Sequence, residues 1–207
     1  MHRLCHGNSL LTRRDLLARS ARVTALGLGA GALLAAPAAR AANGPLPDLD
    51  LALARLAIGS ELLAITFYTA AIESKRFGAD DLRSLQRARF NEDEHLTAVS
   101  QILSGAGQTP ETADDFDFVF PAGALRSRES IARLGVQLET AALGTYLGAV
   151  DAFASPDLKT TAARIAASEA QHVSVFSRIA SGRAVGISFP APLDYETASA
   201  ALDPFLA

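Results

Sequence analysis

The chain has 207 residues, 49% of them hydrophobic, with a formal net charge of -3 at neutral pH. Its one cysteine, Cys5, excludes a disulfide framework and any multi-thiolate metal site. An acidic balance also fits nucleic acid and anionic membrane surfaces poorly.

The first element reads as an export signal. The stretch "TRRDLLARS", residues 12–20, sets Arg13 and Arg14 ahead of a leucine pair, and a weakly apolar run rich in Gly and Ala follows from Val23 to Ala38. That run is short for a membrane span, and Ala39 and Ala41 around Arg40 form an A-x-A cleavage pattern. The paired arginines resemble a twin-arginine signal, which implies the twin-arginine export machinery as a partner and folding before export. Residues 1–41 are therefore expected to be removed near Ala41/Ala42. The mature protein is expected in the periplasm or otherwise exported, with no stable membrane insertion after cleavage. Six of the 19 basic residues, one of the 22 acidic residues and Cys5 leave with the signal, so residues 42–207 carry a net charge of -8. Their 166 residues suit one domain with one sizeable core.

From Asp48 to about Arg76, Leu51, Ala54, Ile58, Ile65 and Ile72 recur at helical spacing, with Asp48 placed to cap the start and Gly78 to end the run. A second helix is expected from about Asp80 to Ser104, stopping at Gly105 and Gly107. A crossover of roughly 20 residues follows, a length that calls for a reason. Within it "DFDFVF", residues 115–120, alternates like a strand that has no partner, so its aromatics are expected to pin the crossover to the helices. A third run extends from near Ser127 to Ala154. Ser155 and Pro156 then read as the cap and first-turn proline of a fourth, which reaches Ser181 before Gly182. The tail from residue 183 is expected to wrap the helices through Phe189, Leu193 and Phe205. The fold predicted is all-α, a four-helix bundle with short connections inside each helix pair and a long crossover between helices two and three.

Two stretches carry the chemistry. "NEDEHLTAVS" holds Glu92 and His95, "ASEAQHVSVF" holds Glu169 and His172, and these are the only histidines after residue 41. Residues three apart share a helix face, and here that face is apolar: Leu85 and Val99 lie on the first, Ile165 and Phe176 on the second. A carboxylate aimed at a core must be protonated, paired or bound to a cation. Arg89, one turn before Glu92, is the nearest cationic side chain. The other two helices carry "ELLAITFY" and "ETAALGTY", which place Glu61 and Glu139 in apolar surroundings with Tyr68 and Tyr146 two turns on. Glu61 lies 31 residues before Glu92, and Glu139 lies 30 before Glu169, an internal repeat of helix pairs. The repeat delivers Glu61, Glu92, His95, Glu139, Glu169 and His172 to one core as a dimetal site, with Tyr68 and Tyr146 supporting the ligands. Asp93 and Glu94 fall off that face and are read as solvated, as are Asp114, Asp115 and Asp117 in the crossover.

A Glu on the first and third helices with E-x-x-H on the second and fourth resembles the ferritin-like dimetal carboxylate proteins. "LGTYLGAV", "SEAQH" and the tail "FPAPLDYETASAALDPFL" are similar to an exported ferritin-like family that includes desiccation-related proteins. The resemblance implies Glu92 and Glu169 as bridges, Glu61 and Glu139 as terminal ligands, and one imidazole per metal from His95 and His172. Such a ligand set suits two iron or manganese ions per chain. Ala64 and Thr66 stand where relatives commonly carry further acids. The implied chemistry uses dioxygen or peroxide, as in Fe(II) oxidation or peroxide removal of a ferroxidase or catalase type. Without cysteines after residue 41, a rubredoxin-type iron relay is disfavoured. Two other roles fit the same spacing. An iron-binding or storage protein predicts a closed homo-oligomeric shell, and a structural stress protein predicts protection that survives loss of all six ligands.

Overall fold

The computed structural model describes residues 45–207, so the expected signal, with Arg13, Arg14 and the cleavage point, lies outside the described residues. Four long helices dominate: α1 (Asp48–Glu73), α2 (Ala79–Gly105), α3 (Arg128–Ala152) and α4 (Pro156–Ser181). A 3-10 turn, Ala113–Asp115, lies in the crossover, and a short α5 (Tyr195–Leu202) with a second 3-10 turn, Asp203–Phe205, lies in the tail. The long helices have 25 to 27 residues and are each about 40 Å long. The described chain is all-helical apart from its loops, in agreement with the four-helix bundle that the periodicity predicts.

The helix ends show which local signals acted. Ser127 caps α3, its hydroxyl accepting from the Ser130 N–H at 3.0 Å, and Ser155 caps α4 with Pro156 in the first turn. Gly182 closes α4 at a φ of 75°, in the left-handed region that glycine occupies without strain. Two expectations for α1 are corrected. Asp48 is the first helical residue rather than the cap, which is Pro47, and the helix stops at Ser74, so Gly78 instead precedes α2 as its cap. Asp50, buried one turn into α1, accepts from the Ala154 and Ser155 N–H groups at 2.8 Å each and fastens α1 to the α3–α4 turn.

Helices α1 and α2 pack side by side, as do α3 and α4, while α1 faces α3 and α2 faces α4. Asp81 at the start of α2 accepts from Arg128 at the start of α3 (2.7 Å) and from Arg178 near the end of α4 (2.9 Å). The crossover, residues 106–127, therefore runs back along the bundle, and its length is explained. It is pinned by a buried ion pair from Arg55 to Glu111, with Arg55 also donating to Gln108 at 3.1 Å. Phe116 completes the attachment by entering the core.

The "DFDFVF" segment does have a partner, contrary to expectation. Phe118 forms an isolated antiparallel bridge with Leu206, and the Val119 N–H reaches the Phe205 carbonyl at 2.9 Å. The two segments run side by side, and each satisfies part of the other's backbone. Of the three tail residues expected to wrap the helices, Leu193 and Phe205 do so, whereas Phe189 is 92% exposed. The tail lies directly on α3 because Gly144 and Gly148 leave room for it: a Cβ at Gly148 would fall 1.8 Å from the Leu193 carbonyl oxygen. The Leu193 N–H then donates to the Gly144 carbonyl at 2.8 Å.

Helix α1 is long and apolar enough to cross a membrane by composition, and here most of it is buried in the bundle. The core falls into two apolar halves. One holds Leu62, Val99, Leu103, Leu143 and Ile165, the other Leu63, Phe67, Leu85, Ile131 and Phe176. Between them lies a layer of charge.

Candidate metal centre

All six side chains grouped by the repeat lie in that layer. Glu61, Glu92, Glu139, Glu169 and His172 are each no more than 3% exposed, and the His95 side chain is 11% exposed. Each imidazole presents Nδ1 to three carboxylates. His95 Nδ1 lies 3.0 Å from Glu169, 3.2 Å from Glu92 and 3.7 Å from Glu61. His172 Nδ1 lies 2.8 Å from Glu92, 3.2 Å from Glu169 and 3.7 Å from Glu139. Two sets result, Glu61, Glu92, His95, Glu169 and Glu92, Glu139, Glu169, His172, in each of which the ligand atoms lie within 4.8 Å of one another. Glu92 and Glu169 belong to both. The two rings stack with centroids 6.1 Å apart.

The register of these contacts explains the symmetry. Glu92 meets His172 and His95 meets Glu169, so positions rise on α2 as they fall on α4. The same holds for α1 and α3, where the Tyr68 hydroxyl donates to Glu139 and the Tyr146 hydroxyl to Glu61. Each tyrosine thus serves the glutamate of the facing helix rather than that of its own. Arg89, the cation that might have neutralised Glu92, points outward and pairs with Asp93 and Thr69. Among the described residues no lysine or arginine pairs with any of the four glutamates.

One polar neighbour was not legible in the spacing. The Asn91 side-chain amide lies 3.1 Å from Nε2 of His172 and 3.5 Å from the Ser168 hydroxyl. Asn91 and Ser168 each directly precede a cluster glutamate, so the repeat marks them as equivalent positions, but only the α2–α4 packing turns Asn91 toward the ring.

Four carboxylates and two imidazoles share few solutions. Burial disfavours the charged ring, but carboxylates outweigh it, pushing His95 up to about 12 through Glu169, Glu61 and Glu92 and raising His172 through Glu139, Glu169 and Glu92. Burial would raise Glu169, yet hydrogen bonds from His172, His95 and Glu139 hold it down at about 2. Glu92 is lowered in the same way: burial and the charge of Glu169 oppose ionisation, and His172 and His95 overcome both. Glu61 and Glu139, further from the rings, are raised well above the carboxylate range, first by burial and then by the charges of Glu92 and Glu169. Burial and the adjacent carboxylates also raise Tyr68 and Tyr146, which remain hydrogen-bond donors.

The residues could hold metal ions. Glu139 Oε2 is fully buried with no hydrogen-bond partner, and the inner oxygens of Glu92 and Glu169 meet only the Nδ1 of one imidazole each, at 2.8 and 3.0 Å, an Nδ1 that other glutamates share; a cation between the carboxylates would relieve this costly arrangement. Oxygen-rich sets with one nitrogen each suit iron or manganese over zinc or copper. The cluster is approached from the α2–α4 face by a polar cleft of about 460 Å³ lined by Arg83, Arg87, Asn91 and Gln171, with His172 at its wall.

The model of the ferritin-like domain family matches residues 49–181. No curated protein matches. Among solved structures, the chain is similar to the crystal structure of a hypothetical protein from Methanococcus jannaschii DSM 2661, at 13% identity and a TM-score of 0.55 over 83% of this chain and 97% of that one. At that identity the likeness is one of fold.

Proposed function

The chain belongs to the ferritin-like domain family, and from that premise we propose that it is an exported oxidoreductase whose six buried ligands hold two iron or manganese ions and act on dioxygen or peroxide. Fe(II) oxidation or peroxide removal is the reaction this reading assigns. The observation that carries it is the pair of overlapping ligand sets sharing Glu92 and Glu169, buried where no arginine or lysine neutralises them. Bound there, a redox-active metal pair would supply electron transfer to and from an oxygen species.

The chain's own residues set the conditions. Glu92 and Glu169 would be the ligands common to both ions, because each belongs to both sets and is within reach of both imidazoles. Glu61 and Glu139 each complete one set, and the tyrosine hydroxyl on one oxygen of each leaves the other free to face the centre. With its amide turned so that Oδ1 accepts from the Nε2–H, Asn91 would orient His172 from behind, as partners of a ligating histidine's second nitrogen do. The two apolar halves of the core keep bulk water from the layer. We place the protein with the exported, desiccation-related branch on the strength of its leader and tail. Replacing Arg13 and Arg14 by lysine should then retain a folded precursor in the cytoplasm, and unimpaired export would exclude the twin-arginine route.

Anaerobic titration of the mature chain with Fe(II) tests the central reading. Uptake should saturate near two ions per chain, and Glu92→Ala or Glu169→Ala should lose the paired site more completely than His95→Ala, with Asp93→Ala unchanged. One ion or none in a folded chain would overturn the assignment.

A further inference from the structure

On the face opposite the polar cleft, α1, α3 and the tail enclose a second hollow of about 330 Å³. Its walls are apolar: Leu56 and Leu63 from α1, Leu138 and Ala142 from α3, Leu202 and Phe205 from the tail. Its one charged wall residue is Glu139, which also belongs to the metal centre. We propose that this chamber binds a small neutral organic molecule, an alkyl or aryl chain carrying one hydroxyl or carbonyl group, against the Glu139 edge of the centre.

Size is the first argument. Protein interiors are close-packed, with few voids larger than a water. This hollow falls in the size range of small-molecule pockets, about 300–1,000 Å³. It has roughly twice the volume of a 150 Å³ apolar cavity that accepts benzene. Small side chains create it: Ala64, Ala141, Ala142, Ala198 and Ala201 all line it, and longer residues at those positions would close it.

Chemistry narrows the occupant. No lysine or arginine lines the wall, so an anion would meet only the carboxyl of Glu139, and a cation would have to leave water for a mostly apolar surface. The polar wall groups are few. The Thr145 hydroxyl is committed to the Ala141 carbonyl at 2.8 Å, which leaves Ser60 and Gln137 as uncommitted hydrogen-bonding side chains in the lining. One polar group on an otherwise apolar molecule matches that inventory. The two faces of the centre are thereby divided: ions and peroxide suit the polar cleft beside His172, and the organic molecule suits the chamber beside Glu139.

What the occupant meets at Glu139 rests on the dimetal reading, but its binding needs no metal, and the experiment separates the two. The mature chain, metal-free and Fe(II)-loaded, is titrated calorimetrically with 1-hexanol, with 1,6-hexanediol as the polar comparison. One saturable site per chain is expected in both forms, with the diol at least tenfold weaker. The filling variant Ala141→Leu/Ala201→Leu should weaken 1-hexanol at least tenfold while Fe(II) stoichiometry stays at the wild-type value. The single variant Ala201→Leu, on the tail helix, serves if the double variant does not fold. Absence of saturable binding, equal binding of the diol, or undiminished binding in a folded, filled variant would overturn the chamber. Hexanol binding without Fe(II) uptake would support the chamber and overturn the metal pair, and Fe(II) uptake without hexanol binding would do the reverse.

Discussion

Metal uptake by this cluster should expel about four protons per chain. The carboxylates hold both imidazoles toward the protonated form, the imidazoles hold Glu92 and Glu169 toward the ionised form, and burial holds Glu61 and Glu139 toward the protonated form, which predicts a neutral layer in the metal-free protein. Neutrality is what burial demands of a layer with no arginine or lysine in it. Ligation needs neutral imidazoles and ionised carboxylates. Two divalent ions then balance four carboxylates, and neutrality is preserved only if two protons leave with each ion. The overall two-metal binding constant should therefore rise about ten-thousand-fold per pH unit, or about a hundredfold per ion, wherever all four protons are still held by the metal-free protein. The sign for the metal-free protein is opposite. The contribution of His95 to stability is fully present below its ordinary value of 6.5 and is lost as pH rises toward about 12, so alkali loosens the empty bundle while favouring the loaded one. Titration of the metal-free mature chain with Mn(II) in weakly buffered solution, with base added to hold the pH, counts the protons directly. Release of fewer than one proton per ion would refute the charge balance, because the layer would then already be ionised and neutralised by something other than its own protons.

Tyr68→Phe should remove one partner from the buried Glu139 carboxyl and cost about 1–3 kcal/mol in urea unfolding of the metal-free chain, with Tyr146→Phe acting equally on Glu61; unchanged unfolding in both would deny the tyrosines their supporting role. Arg55→Ala should strand buried Glu111 and cost about 3–5 kcal/mol, most of it recovered when Glu111 is also made apolar, as a double-mutant cycle would measure. In Gly148→Ala the new methyl meets the Leu193 carbonyl, so the tail must lift from α3: limited proteolysis within residues 183–207 should accelerate while Fe(II) stoichiometry holds, and an unaltered cleavage pattern would show that the tail is not seated by that glycine.

The linear chain determined the features whose causes lie within a few residues. The helix start at Ser127, the cap at Ser155, the stop at Gly182 and the shared face of each Glu–His pair depend on contacts three or four positions apart, and they are where the spacing put them. The gathering of six polar side chains in one layer was legible from the repeated Glu and Glu-x-x-His spacing of the two helix pairs, although the contacts themselves run across the chain. Gly78 misled because glycine serves the start of one helix as readily as the end of another, and backbone preference alone does not choose. The tertiary structure alone decided that Tyr68 serves Glu139 and Tyr146 serves Glu61, since that pairing depends on the antiparallel register of α1 against α3, set by packing along their whole length. It also decided that Phe189 stays in water while Leu193 seats on glycine, that the crossover pairs with the last residues, and that α1, α3 and the tail leave a chamber between them. A contact across the chain, or a void where three elements fail to meet, has no local signature, because its energy depends on atoms that the sequence separates by 45 residues or more.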